Sequence, residues 1–266
     1  MFNNRYIIPT MNYSTLFLHA RSLFQAGILV LFLYSCGSST DNDEEKPPEN
    51  TVRTLDFSGF EWIVRSSGEG REGPGPNYFS DSEDNVWVDD DGRLHLKIVQ
   101  KGGHWYCAGI SLRRSLGYGK YVFYVSGRID RLDPNAVAGM FTYRNDNEEI
   151  DIEFSRWSDP DNMDSQFAVQ PSDIPGNKER YNLGLSGETS THSFDWQPDS
   201  IDFISLYGHD TAVSENNVIH SWNYKGSNIP PDKDERLKLN LWLFRGQNPS
   251  DLKEQEIIIE KVEYIK

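Results

Sequence analysis

The chain has 266 residues, 37% of them hydrophobic and 13% aromatic, which supports a packed core and excludes a wholly disordered chain. A formal net charge of −15 argues against nucleic-acid binding, which requires a basic patch, and suits a neutral ligand better than a polyanion unless a local patch overrides the sum.

The N-terminal 1–35 reads as a secretory signal. Arg21 precedes the apolar run "AGILVLFLY", which ends at Ser35 and Cys36. The run is shorter than the roughly 20 apolar residues a membrane span needs. A basic segment, an apolar stretch and a small residue at the cleavage point are the parts of an export signal. "LYSC" resembles the lipobox of bacterial lipoproteins, which implies lipidation at Cys36 and a membrane anchor through it, in the cell envelope at the outer-membrane surface or in the periplasm. The competing explanation is an ordinary signal peptide with an incidental cysteine. Residues 36–51, with "GSSTDNDEEKPPEN", are polar, acidic and aperiodic and read as a flexible tether. If Cys36 carries lipid, Cys107 has no disulfide partner, and its setting "HWYCAGISL" predicts a buried thiol on a strand.

From 52 to 266 the pattern is short strands and turns in one all-β domain. "NVWVDDDGRLHLKIV" is two alternating runs around an Asp-Gly turn, a hairpin signal. "GKYVFYVSGRI", "VAGMFTY", "EIDIEF", "SQFAVQ", "HSFDW", "SIDFISLYG", "LKLNLWLF" and "EIIIEKVEYI" follow, separated by Gly, Pro, Asn and Asp. No amphipathic stretch of helical length stands out, so the pattern predicts a sandwich or barrel.

The stretch "EEIDIEF" carries the chemistry. On a strand, Glu149, Asp151 and Glu153 share one face while Ile150, Ile152 and Phe154 share the other, which would face a core. Like charges in a row cost energy unless something uses them. Acid–base and nucleophilic catalysis use such sets, with one carboxylate as nucleophile and another as proton donor. An acid between them holds a proton and raises a neighbour's pKa. The competing explanation is a solvated strand face.

The same stretch resembles the Glu-x-Asp-x-Glu catalytic strand of glycoside hydrolase family 16. "SLGYGKYVFYV" resembles that family's "YGYGxYEV" strand, and "VAGMFTY" lies just upstream of the acids, as in bacterial lichenases. "THSFDWQPDSIDF" and "LKLNLWLF" resemble two downstream lichenase segments in the right order. The resemblance, from about Asn85 to the C-terminus, implies a concanavalin-like β-jelly-roll of two antiparallel sheets with a saccharide cleft, and retaining hydrolysis. It implies Glu149 as nucleophile, Asp151 as assisting acid and Glu153 as general acid/base. The single residue between Asp151 and Glu153 is the unbulged form of lichenases and plant xyloglucan-modifying enzymes, which favours a β-1,3-1,4- or related β-glucan.

For substrate contacts, the resemblance points to Trp105 and Tyr106 near the lichenase "EYR" segment, Phe141 and Tyr143 at "FFTY", Trp242 at "NLW", and Gln166. Each of these aromatics is as well suited to core packing; Phe123, Phe203 and Phe244 are assigned to the core. The chain departs from the lichenase pattern at Arg156 and Trp157, just past the acid/base residue, and at Ser190 and His192. Arg156 would suit an anionic sugar or a surface ion pair. The implied reaction needs no cofactor. Lichenase relatives often hold a structural calcium ion, for which the sequence shows no dense acidic loop. The expectation is thus a lipid-anchored endo-acting hydrolase with a polysaccharide as its partner. Two alternatives stay open: a non-catalytic, lectin-like surface lipoprotein, and a transglycosylase or galactanase of the same family.

Overall fold

A computed structural model describes residues 52–266; the expected signal at 1–35 and tether at 36–51, Cys36 included, lie outside the described residues. Among the described residues there are sixteen strands, two short 3-10 turns and no α-helix. In chain order the strands are β1 (Thr54–Phe57), β2 (Phe60–Val64), β3 (Tyr78–Phe79), β4 (Val86–Val88), β5 (Leu94–Lys101) and β6 (His104–Leu112). Then come β7 (Gly119–Ser126), β8 (Ala136–Asn145), β9 (Glu148–Phe154), β10 (Ser165–Val169) and β11 (Lys178–Tyr181). The last five are β12 (Thr189–Trp196), β13 (Ile201–Tyr207), β14 (Val218–Tyr224), β15 (Arg236–Leu243) and β16 (Gln255–Ile265).

The pairings form two sheets. One runs β1-β2-β6-β15-β8-β9-β10-β11 and the other β4-β5-β16-β7-β12-β13-β14. They join where the β5–β6 hairpin pairs Val99 with Tyr106 and Lys101 with His104. Every pairing among these strands is antiparallel except that of the short β3 with β6. The fold is the expected all-β jelly-roll sandwich. The hairpin read from "DDDG" forms between β4 and β5, where Val88 faces Leu94 and Gly92 adopts a φ of +80°, a left-handed turn that favours glycine.

The core lies between the sheets. From the first, Ile150, Ile152 and Phe154 of β9 are completely buried, beside Met140 of β8 and Phe167 of β10. They meet the second sheet through aromatic contacts: Phe154 on His192 at 4.7 Å between ring centroids, and Phe167 on Phe203 at 5.0 Å. Each such side chain contributes about 1.5–3 kcal/mol on burial. This core face fixes the register of β9, because a one-residue slip would drive three acids inside. His192 bonds Ser205 at 2.7 Å and Ser190 at 2.9 Å, and burial lowers its pKa to about 3, keeping it neutral. Cys107 is buried and its thiol is pushed up to about 12, an inert apolar side chain.

Candidate active site

The outer face of the first sheet carries the acids, and the strand register sets their neighbours. Reading across β10, β9, β8, β15 and β6, one row is Gln166, Glu153, Gly139, Asn240 and Gly109. The next is Ala168, Asp151, Phe141, Lys238 and Ser111. Beyond it, Glu149 faces Tyr143. Except for Gln166, Gly139 and Ala168, these residues line a cleft of about 880 Å3, which also takes in Arg53, Arg65 and Trp242.

The three acids differ in environment. Asp151 is 3% exposed, and burial, then the charges of Glu149 and Glu153, raise its pKa well above the usual carboxylate range. Its protonated form is therefore favoured, and in that form it donates a hydrogen bond to Glu149, which steadies the Glu149 carboxylate. Gln170 holds the other side of Asp151, donating from Nε2 to Oδ2 at 2.9 Å. Burial raises Glu149 to about 7, against the Asp151 hydrogen bond, and the charge of Glu153 adds to the rise. Glu153 is also raised by burial, held back by Gln166, whose Nε2 donates to its Oε2 at 2.6 Å. Arg180 in turn donates from Nε to Gln166 Oε1 at 3.2 Å, and its guanidinium lies 4.1 Å from the centre of the Trp157 ring. Burial of all three acids, with the charges of Glu149 and Glu153 acting on Asp151, thus works against ionising the whole set at once.

Of the residues named from sequence, Glu149, Asp151, Glu153, Phe141, Tyr143 and Trp242 line the cleft. Gln166 is buried behind Glu153, and Trp157 reaches the site only through Arg180. Trp105 and Tyr106 lie elsewhere. Trp105 belongs to the core, and Tyr106 packs on Tyr78 at 5.6 Å, because the cleft-lining positions of β6 are Gly109 and Ser111 further along the strand. Arg156 is spent on Asp164 at 3.3 Å and on the carbonyl of Asp130.

Lys238, Asn240, Gln170, Arg180 and Arg65 are site residues that the sequence reading missed. Asn240 is 5% exposed, and its Oδ1 has no hydrogen-bond partner. It lies against Gly139, where an added Cβ would stand 2.6 Å from that oxygen, so only glycine leaves room there. Among the described residues no group of three His, Cys, Asp or Glu side chains is placed to hold a metal ion.

No protein-family model matches the chain. It is 28% identical over 162 residues to a beta-glucanase of Acetivibrio thermocellus, a match that spans 58% of this chain and 44% of that protein. In structure it is similar to the Bacillus licheniformis beta-glucanase, with 20% identity, a TM-score of 0.58, and 77% of this chain and 92% of that one covered. It is also similar to a prokaryotic beta-1,3-1,4-glucanase (lichenase) derived from a mouse hindgut metagenome, with 21% identity, a TM-score of 0.55, and 76% and 92% covered.

Proposed function

We propose that this chain is a retaining, endo-acting glycoside hydrolase that cleaves a β-linked polysaccharide, a β-1,3-1,4- or related β-glucan, by double displacement. The observation that carries the reading is the placement of Glu149, buried Asp151 and Glu153 at alternate positions of one strand, all three lining the cleft and all three with pKa values raised by burial. A likeness to beta-glucanases in sequence and in fold supports it.

In this mechanism the Glu149 carboxylate attacks the anomeric carbon while Glu153 gives its proton to the leaving oxygen. Water then attacks the glycosyl-enzyme and loses its proton to Glu153, and Glu149 is released as a carboxylate. The Asp151 proton stabilises the Glu149 charge before attack and after release. Gln166, steadied by Arg180, fixes the position of Glu153. Phe141, Tyr143 and Trp242 offer ring faces to the sugars, and a sugar hydroxyl would satisfy the orphan oxygen of Asn240. We place the enzyme on the cell envelope through lipid on Cys36, on the strength of "LYSC" followed by a polar tether.

A proton NMR time course of glucan digestion tests the reading. Two displacements give net retention, so β-anomeric reducing ends are expected first, with α arising only by mutarotation. Early α-anomer overturns the double displacement. Binding to a glucan without cleavage across a broad panel of β-glucans and galactans would make the protein a lectin-like binder instead.

A further inference from the structure

Two of the cations that line the cleft of this acidic chain are Arg65, paired with Glu72, and Lys238, which has no ion pair among the described residues. Lys238 is half-buried on β15, opposite Ser111 on one side and Phe141 on the other, and its Nζ lies 4.0 Å from the centre of the Tyr143 ring. Arg144 and Lys233 both pair with Glu148, but Lys238 makes no ion pair among the described residues. Arg65 enters from the end of β2, its backbone N–H donating to the Gly109 carbonyl at 2.8 Å. A Cβ built on Gly109 would lie 3.6 Å from the Arg65 stem, so the arginine runs over this bare stretch of the cleft floor. Its guanidinium rests 3.7 Å from the centre of the Phe79 ring and reaches Glu72 at 3.1 Å.

Lys238 and Arg65 thus flank neighbouring small residues of β6 and face the same space. Burial, and then the charge of Arg65, disfavour the charged form of Lys238, against the attraction of Glu149. Glu72 sits at the guanidinium of Arg65 and Glu149 attracts Lys238, and an anion between the two cations would offset their remaining repulsion. Tyr143 and Phe141 wall the same space and would seat a sugar ring beside it.

We infer that Lys238 and Arg65 form an anion subsite within the cleft, which takes a sulfate ester or a uronic carboxylate carried by a sugar ring neighbouring the cleaved bond. The inference rests on the glycosidase reading for the path of the glycan. Lys238 stands two strands from Asp151, roughly 10 Å at ordinary strand spacing, so the charged group sits beside the ring under attack rather than on it. Arg65 supplies a planar fork and Lys238 a point charge, the two donor types that hold oxyanions.

The test uses the full chain and three forms of one β-glucan: unmodified, sparsely sulfated, and sparsely oxidised at C6 to glucuronate. One or both anionic forms should be cleaved with about tenfold higher kcat/KM at low ionic strength, a gain that salt erodes. Lys238→Met and Arg65→Met should each bring the ratio of kcat/KM on anionic to unmodified glucan down to about one, and Lys238→Arg should retain the preference. The sulfated and oxidised arms tell which group is read. Cleavage of unmodified glucan with no anionic preference overturns the subsite and leaves the hydrolase reading intact. Equal loss on all three substrates in Lys238→Met, not rescued by Lys238→Arg, also overturns it, because Lys238 would then serve the fold or Glu149. Absence of cleavage with Lys238-dependent binding of the anionic glucan supports the subsite and sinks the hydrolase reading; neither cleavage nor binding sinks both.

Discussion

Replacing Gln166 with leucine removes the 2.6 Å hydrogen bond that holds the Glu153 carboxylate and leaves side-chain volume nearly unchanged. A hydrogen bond to a charged group is worth about 1.5–3 kcal/mol, or roughly 1–2 pKa units. Glu153 keeps partial access to solvent, which trims the effect to about one unit. Because Gln166 lowers the pKa of Glu153 against burial, its loss must move that pKa further up. Glu153 works as an acid in the first step, so the basic limb of the kcat/KM profile should move about one unit toward higher pH.

Stability gives a second readout of the same change. A group whose folded pKa is raised contributes stability below its unfolded value, and that contribution is lost as pH rises through the folded value. Gln166→Leu raises the folded value further, so its melting temperature should fall at about pH 8 and match the parent at about pH 4, near the unfolded value for glutamate. The assays are a pH–rate profile and melting curves at the two pH values. A basic limb that stays put or moves down, or an equal stability loss at both pH values, would refute the reasoning.

Glu149→Gln and Glu153→Gln should each lower turnover by several orders of magnitude with melting unchanged or improved, since each removes a buried charge; Asp151→Asn should cost less because the amide still donates to Glu149. Steady-state kinetics on any cleaved glucan would decide, and near-parental turnover in either glutamine variant would dismiss the assignment. Gly139→Ala forces a Cβ to within 2.6 Å of Asn240 Oδ1 and should destabilise by about 1–3 kcal/mol while raising KM, measured by denaturant titration and kinetics. Cys36→Ala with the leader retained should release the protein from membranes, and a variant that still sediments with them after a salt wash would exclude the lipid anchor.

The residues that sequence alone placed well are those whose two faces differ. In "EEIDIEF" the apolar positions demand a core and leave the acids a single side, and the structure shows that division. The same alternation runs through "LKLNLWLF", where Lys238, Asn240 and Trp242 share the cleft face, yet only the tryptophan drew notice because its neighbours read as ordinary polar positions. Trp105 and Tyr106 drew notice as aromatics, but pairing with β15 brings Gly109 and Ser111, which have little or no side chain, to the cleft instead. The ion pair of Arg156 with Asp164 depends on a loop return that no local pattern encodes. The strands β11 and β14 escaped for a related reason: each closes the end of a sheet, and edge strands such as "KERY" carry charges and lack a clear buried face.

The place of β16 bears on how this chain reaches its fold. It lies between β5 and β7, and its His95–Glu256 contact joins residues 161 apart in sequence. Until β16 arrives, β5 and β7 each present an open row of backbone donors and acceptors above exposed core side chains. Such edges recruit strands from other molecules. A chain lacking the segment from Gln255 onward should therefore aggregate rather than merely lose stability, and collapse of the second sheet should be slow and late, since it waits on the most distant pairing it contains. In the envelope placement proposed above, that delay would keep the chain in a threadable state while it crosses a membrane.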